Sequence, residues 1–203
     1  MFDILKSGGI LMIPIILCGL ISSFIIVERI IYFISIKSRD KKLMKSLEES
    51  LGKDNYEHAI ADCIIASTPC SQVIKKVIEC KDLDEDHRKE LVQTLMDSVV
   101  SQFERFLTAL GTIANISTLL GLLGTVTGNI KAFGVLGSGG TMGDPSLLAS
   151  SIAEALVTTV AGLCVAIPSL IFNNHFNSEV DHRIADMEVN VTKIMFRLMG
   201  KDI

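Results

Sequence analysis

Hydrophobic and polar positions follow one another in long blocks along this chain. Three apolar stretches, at residues 9–36, 107–133 and 147–172, are separated by polar segments. About 20 apolar residues in an α-helix are enough to cross a bilayer. The pattern therefore predicts an all-α integral membrane protein with three transmembrane helices, the second and third of which extend into a cytoplasmic helical bundle.

The polar segments also predict the boundaries between the parts of the chain. The first apolar stretch is longer than the hydrophobic region of a cleaved signal peptide, and no small-residue cleavage site follows it, which favours a retained helix. The predicted parts are an N-terminal segment with the first transmembrane helix (1–36), a cytoplasmic helical domain (37–106), the second transmembrane helix (107–133), a periplasmic loop (134–146), the third transmembrane helix (147–172) and a cytoplasmic C-terminal helix (173–203).

Charge predicts the orientation of these helices. The basic segment KSRDKKLMK directly follows the first apolar stretch, and by the positive-inside rule it lies in the cytoplasm while the N-terminus lies outside. Glu28 and Arg29 come near the inner end of the first helix. We interpret both as interfacial anchors whose charged ends reach the lipid headgroups.

Helical periodicity continues in the polar segments. Residues 84–133 contain no proline and predict one continuous helix of about 50 residues, whose first half projects into the cytoplasm. Thr68 followed by Pro69 predicts a helix start. The third transmembrane helix is predicted to continue to about Met199. Its continuation carries an apolar stripe at Phe176, Val180, Ile184, Met187, Val191, Ile194 and Leu198.

Composition argues against several classes of function. With 49% hydrophobic residues and a mean hydropathy of +0.47, the chain is too apolar for an ordinary soluble domain of 203 residues. The net charge of -4 and the lack of a basic patch with interleaved aromatic residues argue against nucleic-acid binding. The five cysteines form no CxxC pair, and His175 and His182 are seven residues apart, so neither a metal site nor another cofactor is predicted.

Glu154 is the only charged residue in the third apolar stretch. An ionised carboxylate at the centre of a membrane helix costs about 2.5–3.5 kcal/mol, so an acidic residue there is a functional candidate. It shares a helix face with Thr158, Ala161 and Val165, and Thr159 flanks that face. Two interpretations stay open. Glu154 either hydrogen-bonds a neighbouring helix or binds and releases a proton, since burial disfavours the charged form of a carboxyl.

The second apolar stretch contains closely spaced glycines. Gly121, Gly124 and Gly128 are predicted to permit close helix packing, the last two as a GxxxG pair. Thr125 lies between them, and we expect its hydroxyl to face Glu154 and to donate or relay a hydrogen bond. The glycine-rich loop at 134–146 is not followed by GK[ST], which argues against a phosphate-binding loop.

Two motifs resemble those of the MotA/TolQ/ExbB family of proton-channel subunits. They are GLLGTVTG in the second apolar stretch and SIAEALVTTVAGLCVAIPSLIFN in the third. Three predicted spans rather than four resemble the ExbB/TolQ branch more than a flagellar stator. Thr127-Gly128 where many relatives have Trp-Gly, and Lys131 near the external end of the second span, are departures from the pattern. They leave ExbB, TolQ and a specialised relative open.

The resemblance implies a function as well as a fold. It implies a homopentamer in the bacterial inner membrane around a dimer of a single-span ExbD/TolR-type partner, in which Glu154, Thr125 and Thr159 line the proton route. It also implies that the proton motive force drives work, either for outer-membrane transport through a TonB-type protein or for envelope maintenance as in TolQ systems. A passive helical scaffold is the rival hypothesis. An intramembrane enzyme is disfavoured because the spans hold no His, no Asp pair and no Ser with a visible base.

Overall fold

The computed structural model describes residues 8–52, 55–80, 85–137 and 145–198. Over these residues the chain is helical without strands, which confirms the predicted all-α membrane fold. Three helical stretches are long and apolar enough to cross a membrane. The helices are α1 (Met12–Leu51), α2 (Tyr56–Ala66), α3 (Pro69–Glu79), α4 (Glu85–Phe103), α5 (Leu107–Gly137) and α6 (Pro145–Leu198).

The chain divides into two compact units. The first, called here the apolar unit, comprises the described parts of Met1–Glu28 and Phe106–His175. Most large apolar side chains of this unit are exposed, as expected for a surface that faces lipid or another subunit. Many of its buried side chains are small: Ser22, Ala114, Ser117, Ala132, Ala155, Thr158, Ala166 and Ser169.

The second unit, called here the polar unit, comprises the described parts of Arg29–Arg105 and Phe176–Ile203. The rings of Phe33 and Phe176 stack inside it with their centroids 5.8 Å apart. Its core consists mostly of bulky apolar side chains, as in a water-soluble helical bundle. These include Ile36, Leu43, Leu47, Ile74, Val77, Phe103, Met187 and Val191.

The predicted helix start at Thr68 is confirmed. Thr68 is the N-cap of α3: its hydroxyl accepts a hydrogen bond from the backbone N–H of Ser71, and the Ser71 hydroxyl oxygen accepts one from the backbone N–H of Thr68. Pro69 occupies the first helical position, where its missing N–H leaves no hydrogen bond unmade. Cys70 on α3 and Cys63 on α2 are both buried. Burial raises the pKa of both thiols, and that of Cys63 reaches about 12.

Two helix boundaries differ from the periodicity in the sequence. Residues 84–133 predict one helix, but the structure has α4 and α5 with a break at residues 104–106, where Phe106 adopts a left-handed backbone conformation with φ 65°. Phe106 is 40% exposed, whereas Phe103 at the end of α4 is buried. In addition, α1 continues through its charged segment to Leu51, because Leu43 and Leu47 extend a buried stripe along the same helix.

Arg29 does not act as the interfacial anchor that its position predicts. Its side chain is only 1% exposed and lies in the polar unit. The guanidinium donates to the backbone oxygen of Phe103 at 3.5 Å and lies 4.4 Å from the centre of the Tyr32 ring. An aromatic face and a carbonyl oxygen together replace part of the water that a buried cation loses.

The helical continuation after the third span matches its predicted pattern. α6 runs without interruption from Pro145 to Leu198 and includes Pro168. Most of its apolar stripe is buried in the polar unit, whereas His182 on the opposite side is exposed. Periodicity therefore identified both the helix and its packing face correctly.

Candidate functional site

Glu154 lies on α6 about three turns after the helix begins at Pro145. Its neighbours in the sequence are Ala153 and Ala155, good helix formers with small side chains, and Ala155 is buried. The Glu154 side chain is 27% exposed, so it is partly enclosed by the protein. The carboxyl group therefore lies in an apolar segment and is only partly exposed at the protein surface.

The carboxylate is paired with a cation from the second span. Lys131 on α5 donates from Nζ to Oε1 of Glu154 at 2.7 Å, a distance typical of a charge-assisted hydrogen bond. The Lys131 side chain is 56% exposed. The sequence places a cation in this span, but its contact with Glu154 depends on the register between two helices and was missed.

The residues that precede α1 form a third side of the site. Gly9 has φ 68°, and a Cβ atom built on it would collide with Oε1 of Glu154. Thr158 donates its hydroxyl proton to the backbone oxygen of Gly8 at 2.9 Å or to that of Glu154 at 2.8 Å. Backbone without side chains thus lies directly against the carboxylate.

A close contact between α5 and α6 fixes the position of the pair. A Cβ atom built on Gly124 would lie 2.6 Å from Cβ of Thr158, and one built on Gly128 would lie 2.5 Å from Cβ of Ala155. A Cβ built on Gly162 would lie 2.5 Å from the backbone oxygen of Ser117. Only hydrogen fits at these positions without a shift of one helix, so the glycines set the distance between the two backbones.

The two predicted threonines lie in different surroundings. Thr159 donates to the backbone oxygen of Gly121 on α5 at 2.8 Å, across the same close contact. Thr125 donates to the backbone oxygen of Leu122, one turn earlier on its own helix, at 2.7 Å. The expected hydrogen bond from Thr125 to Glu154 is therefore wrong for this conformation, since its one hydroxyl proton is directed elsewhere. The roles of both threonines in a proton route stay predictions.

The chemistry available here is acid–base chemistry and ion pairing. A carboxyl can take up and release one proton, and an ammonium within hydrogen-bonding distance forms an ion pair with a carboxylate. Among the residues that the structure describes, no group of three His, Cys, Asp or Glu side chains is placed to hold a metal ion. The site consequently resembles a place where a proton or a counter-ion binds, in a segment that otherwise lacks charge.

The sequence of this chain is similar to those of a known family of membrane proteins. Residues 65–189 match the sequence profile of the MotA/TolQ/ExbB proton channel family, a range that includes all of α5 and the Glu154 region of α6. The chain is 30% identical over 174 residues to the Synechocystis protein ExbB-like 3, covering 85% of this chain and 82% of that protein.

Two further relatives carry the names of an ExbB protein and a TolQ protein. The chain is 25% identical over 196 residues to the biopolymer transport protein exbB1 of Vibrio cholerae, covering 95% of this chain and 86% of that protein. It is 36% identical over 86 residues to the Tol-Pal system protein TolQ of Haemophilus influenzae, covering 42% of this chain and 37% of that protein. The similarity to ExbB proteins thus extends over more of the chain.

Proposed function

We propose that this chain, which belongs to the MotA/TolQ/ExbB proton channel family, is an ExbB-like subunit of a proton-driven motor in the bacterial inner membrane. With an ExbD-type single-span partner, it converts the proton motive force into mechanical work for TonB-dependent transport across the outer membrane. Five copies surround a dimer of the partner, with the N-terminus in the periplasm and the C-terminus in the cytoplasm. The breadth of the ExbB similarity supports this branch.

The observation that carries the proposal is a single carboxyl group in an otherwise uncharged membrane segment. An unpaired charge at the centre of a membrane helix costs about 2.5–3.5 kcal/mol on insertion scales. Moving one charge through the membrane potential is worth about 2.3 kcal/mol per 100 mV. Because these two energies are comparable, the potential can bias whether the carboxyl is protonated. Thr125 and Thr159 complete the proposed proton route on the facing helix and on the next turn.

The exposed surface of the apolar unit supports assembly into a ring. Its large apolar side chains, such as Phe24, Leu119 and Leu163, are exposed in the single chain. A surface of this kind is suited to lipid and to neighbouring copies of the same chain. A TolQ-like role in envelope maintenance is the second candidate, favoured by the TolQ match, which is 36% identical over its shorter length.

Replacing Glu154 by Gln tests the proposal, because Gln keeps the size and removes the titratable group. We expect the assembled complex of Glu154→Gln to keep its mass and to lose proton flux across proteoliposomes by about a hundredfold. Glu188→Gln is the matched control, since Glu188 is an exposed residue of α6 outside the apolar segment. It should leave the flux unchanged.

The same experiment separates a motor from a passive scaffold. Full proton flux through Glu154→Gln would contradict the motor. A complex of Glu154→Gln that falls apart into smaller species would instead support the scaffold, in which Glu154 only holds helices together. Mass measurement of the parent complex counts its subunits and tests the proposed pentamer.

A further inference from the structure

The second and third spans each carry one charge, and the structure brings the two charges together. Lys131 is the only charged residue in Leu107–Gly137, and Glu154 is the only one in residues 147–172. Their side chains meet at 2.7 Å. Each charge in an apolar segment is costly alone, and pairing reduces that cost for both.

The pair depends on the helix register as well as on the length of the lysine side chain. Along the contact between α5 and α6, Gly121 faces Thr159, Gly124 faces Thr158 and Gly128 faces Ala155. Each step toward the end of α5 is thus a step toward the start of α6, as in any antiparallel pair. Lys131 comes three residues after Gly128, and Glu154 comes one residue before Ala155, so the glycine contacts bring the two residues to nearby levels of the helix pair and the lysine stem spans the remaining distance.

One carboxylate oxygen of Glu154 lies against both Lys131 and the backbone of Gly9. Oε1 of Glu154 is both the oxygen that Lys131 contacts and the oxygen that a Cβ atom on Gly9 would strike. The oxygen therefore lies between the ammonium and the bare backbone of Gly9. A side chain at Gly9 and the observed ion pair exclude each other.

Few other ionisable groups are close to the site. In the described residues of the apolar unit, Glu28 on α1 and His175 on α6 are each about 30 Å along the helix from the level of the pair. The cysteines of these helices, Cys18 and Cys164, are nine and ten residues away from Gly9 and Glu154. Gly8 and Gly9 bring no titratable side chain. Asp3, Lys6 and Asp144 lie outside the described residues.

We propose that Lys131 is a positioning residue: it is the counter-ion within the same chain that holds Glu154 as a carboxylate against α5, and it leaves when that carboxyl takes up a proton. The inference deepens the proposed function and rests on it for its role in proton transfer. One proton binds to the carboxylate, and the ion pair becomes a neutral carboxyl and a separate ammonium. No covalent bond of the chain forms or breaks apart from the new O–H bond.

The exposure of the two side chains favours this sequence of events. The Lys131 side chain is 56% exposed and that of Glu154 is 27% exposed, so the lysine is the partner that can move. A lysine stem can lie along apolar surface while its ammonium reaches water or headgroups. Once the carboxyl is neutral, little electrostatic attraction keeps the ammonium at the site. Proton binding and lysine release are therefore coupled.

Infrared spectroscopy of the full chain in lipid tests the pair directly. The absorption of the protonated Glu154 carboxyl is assigned by its loss in Glu154→Gln. At pH 7 we expect this band to be at least about threefold stronger in Lys131→Met than in the parent, because the missing ammonium no longer favours the carboxylate. Lys131→Arg keeps a cation and should restore the parent band. Lys193→Met, which removes an exposed lysine of α6, should not change it.

The outcomes distinguish this inference from the proposed function. An unchanged band in Lys131→Met would overturn the counter-ion role, and so would a band in Lys131→Arg as strong as in Lys131→Met. If Lys131→Met does not assemble, Lys131→Gln gives the same test, since it keeps a polar side chain and removes the charge. Full proton flux in Glu154→Gln would defeat the motor, yet the band would still report whether the pair exists.

Discussion

Packing inside the apolar unit differs from packing inside the polar unit. In the polar unit, bulky side chains such as Phe103, Phe176 and Ile74 fill the core. In the apolar unit, the backbones of α5 and α6 approach closely at glycines, and the large side chains point outward. The same three long helical stretches thus change their packing chemistry along their length.

The difference follows from the surroundings of each unit. In water, burying a large apolar side chain contributes about 1.5–3 kcal/mol, so bulky residues belong inside. In lipid, the surroundings are as apolar as the protein interior, and helix association depends on close packing and hydrogen bonds instead. Small residues allow that approach, as at Gly162 beside the backbone oxygen of Ser117. The contrast makes predictions about each unit that can be tested separately.

The largest expected effect concerns a thiol in the core of the polar unit. Burial raises the pKa of Cys63 from 9.0 to about 12, and the nearby Asp62 adds to the shift. Because the thiolate is the reactive form, its fraction at neutral pH falls by about a thousandfold. We expect alkylation of Cys63 at pH 7.5 to be at least about a hundredfold slower than in the unfolded chain, measured by mass spectrometry of its peptide.

The pH dependence of this labelling has a defined direction. A raised pKa leaves the thiol protonated over a wider range, so labelling of Cys63 should keep increasing with pH well above 9. Half-buried Cys80 in the same unit serves as the internal comparison. Equal labelling of Cys63 and Cys80 in the native protein would show that the core opens readily, and the contrast between the units would weaken.

Next in size is the removal of a bulky side chain from the polar core. Ile74 on α3 is fully buried, so Ile74→Ala should lower the free energy of unfolding by about 3 kcal/mol through lost burial and a cavity. Ile65 on α2 is 81% exposed, so Ile65→Ala should change the free energy of unfolding little. Denaturant unfolding of the full chain, followed by circular dichroism, compares the two. Similar losses for both variants would contradict a core built on bulky side chains.

The smallest of the three effects comes from adding one methyl group to the apolar unit. A Cβ atom at Gly162 would lie 2.5 Å from a backbone oxygen that cannot move alone, so Gly162→Ala should destabilise the unit by about 2 kcal/mol. At Gly134 on α5, a Cβ atom would have nothing within 4 Å. Gly134→Ala is therefore the matched control. The thermal stability of the two variants in detergent gives the comparison, and equal stability would refute the close-contact description.

Much of this fold could be predicted from local sequence. Apolar length identified the membrane helices, Thr68-Pro69 identified the start of α3, and the heptad-like stripe after Phe176 identified a buried face. The break before α5 could not be predicted, since Glu104, Arg105 and Phe106 include neither glycine nor proline. Phe106 adopts a left-handed backbone conformation that is rare for a bulky residue, so local preference does not predict it.

The candidate site could be predicted only in part, for a similar reason. Glu154 is conspicuous because a charge in an apolar segment is rare. Its partner lies 23 residues earlier, and which residue of α5 faces it depends on a register that glycine contacts set in three dimensions. Thr125, which was expected to face Glu154, donates its hydroxyl proton to the backbone of its own helix. Arg29 was misjudged likewise, because its aromatic and carbonyl partners meet only in the folded chain.

The contacts of Thr158 and Glu154 with the backbone of Gly8 and Gly9 limit how α6 can turn. Turning α6 about its own axis by a single residue position amounts to about 100°, which would carry Thr158 out of reach of Gly8 and drive Glu154 across Gly9. If α6 turns about its axis, the start of α1 must therefore move with it, or both contacts must break.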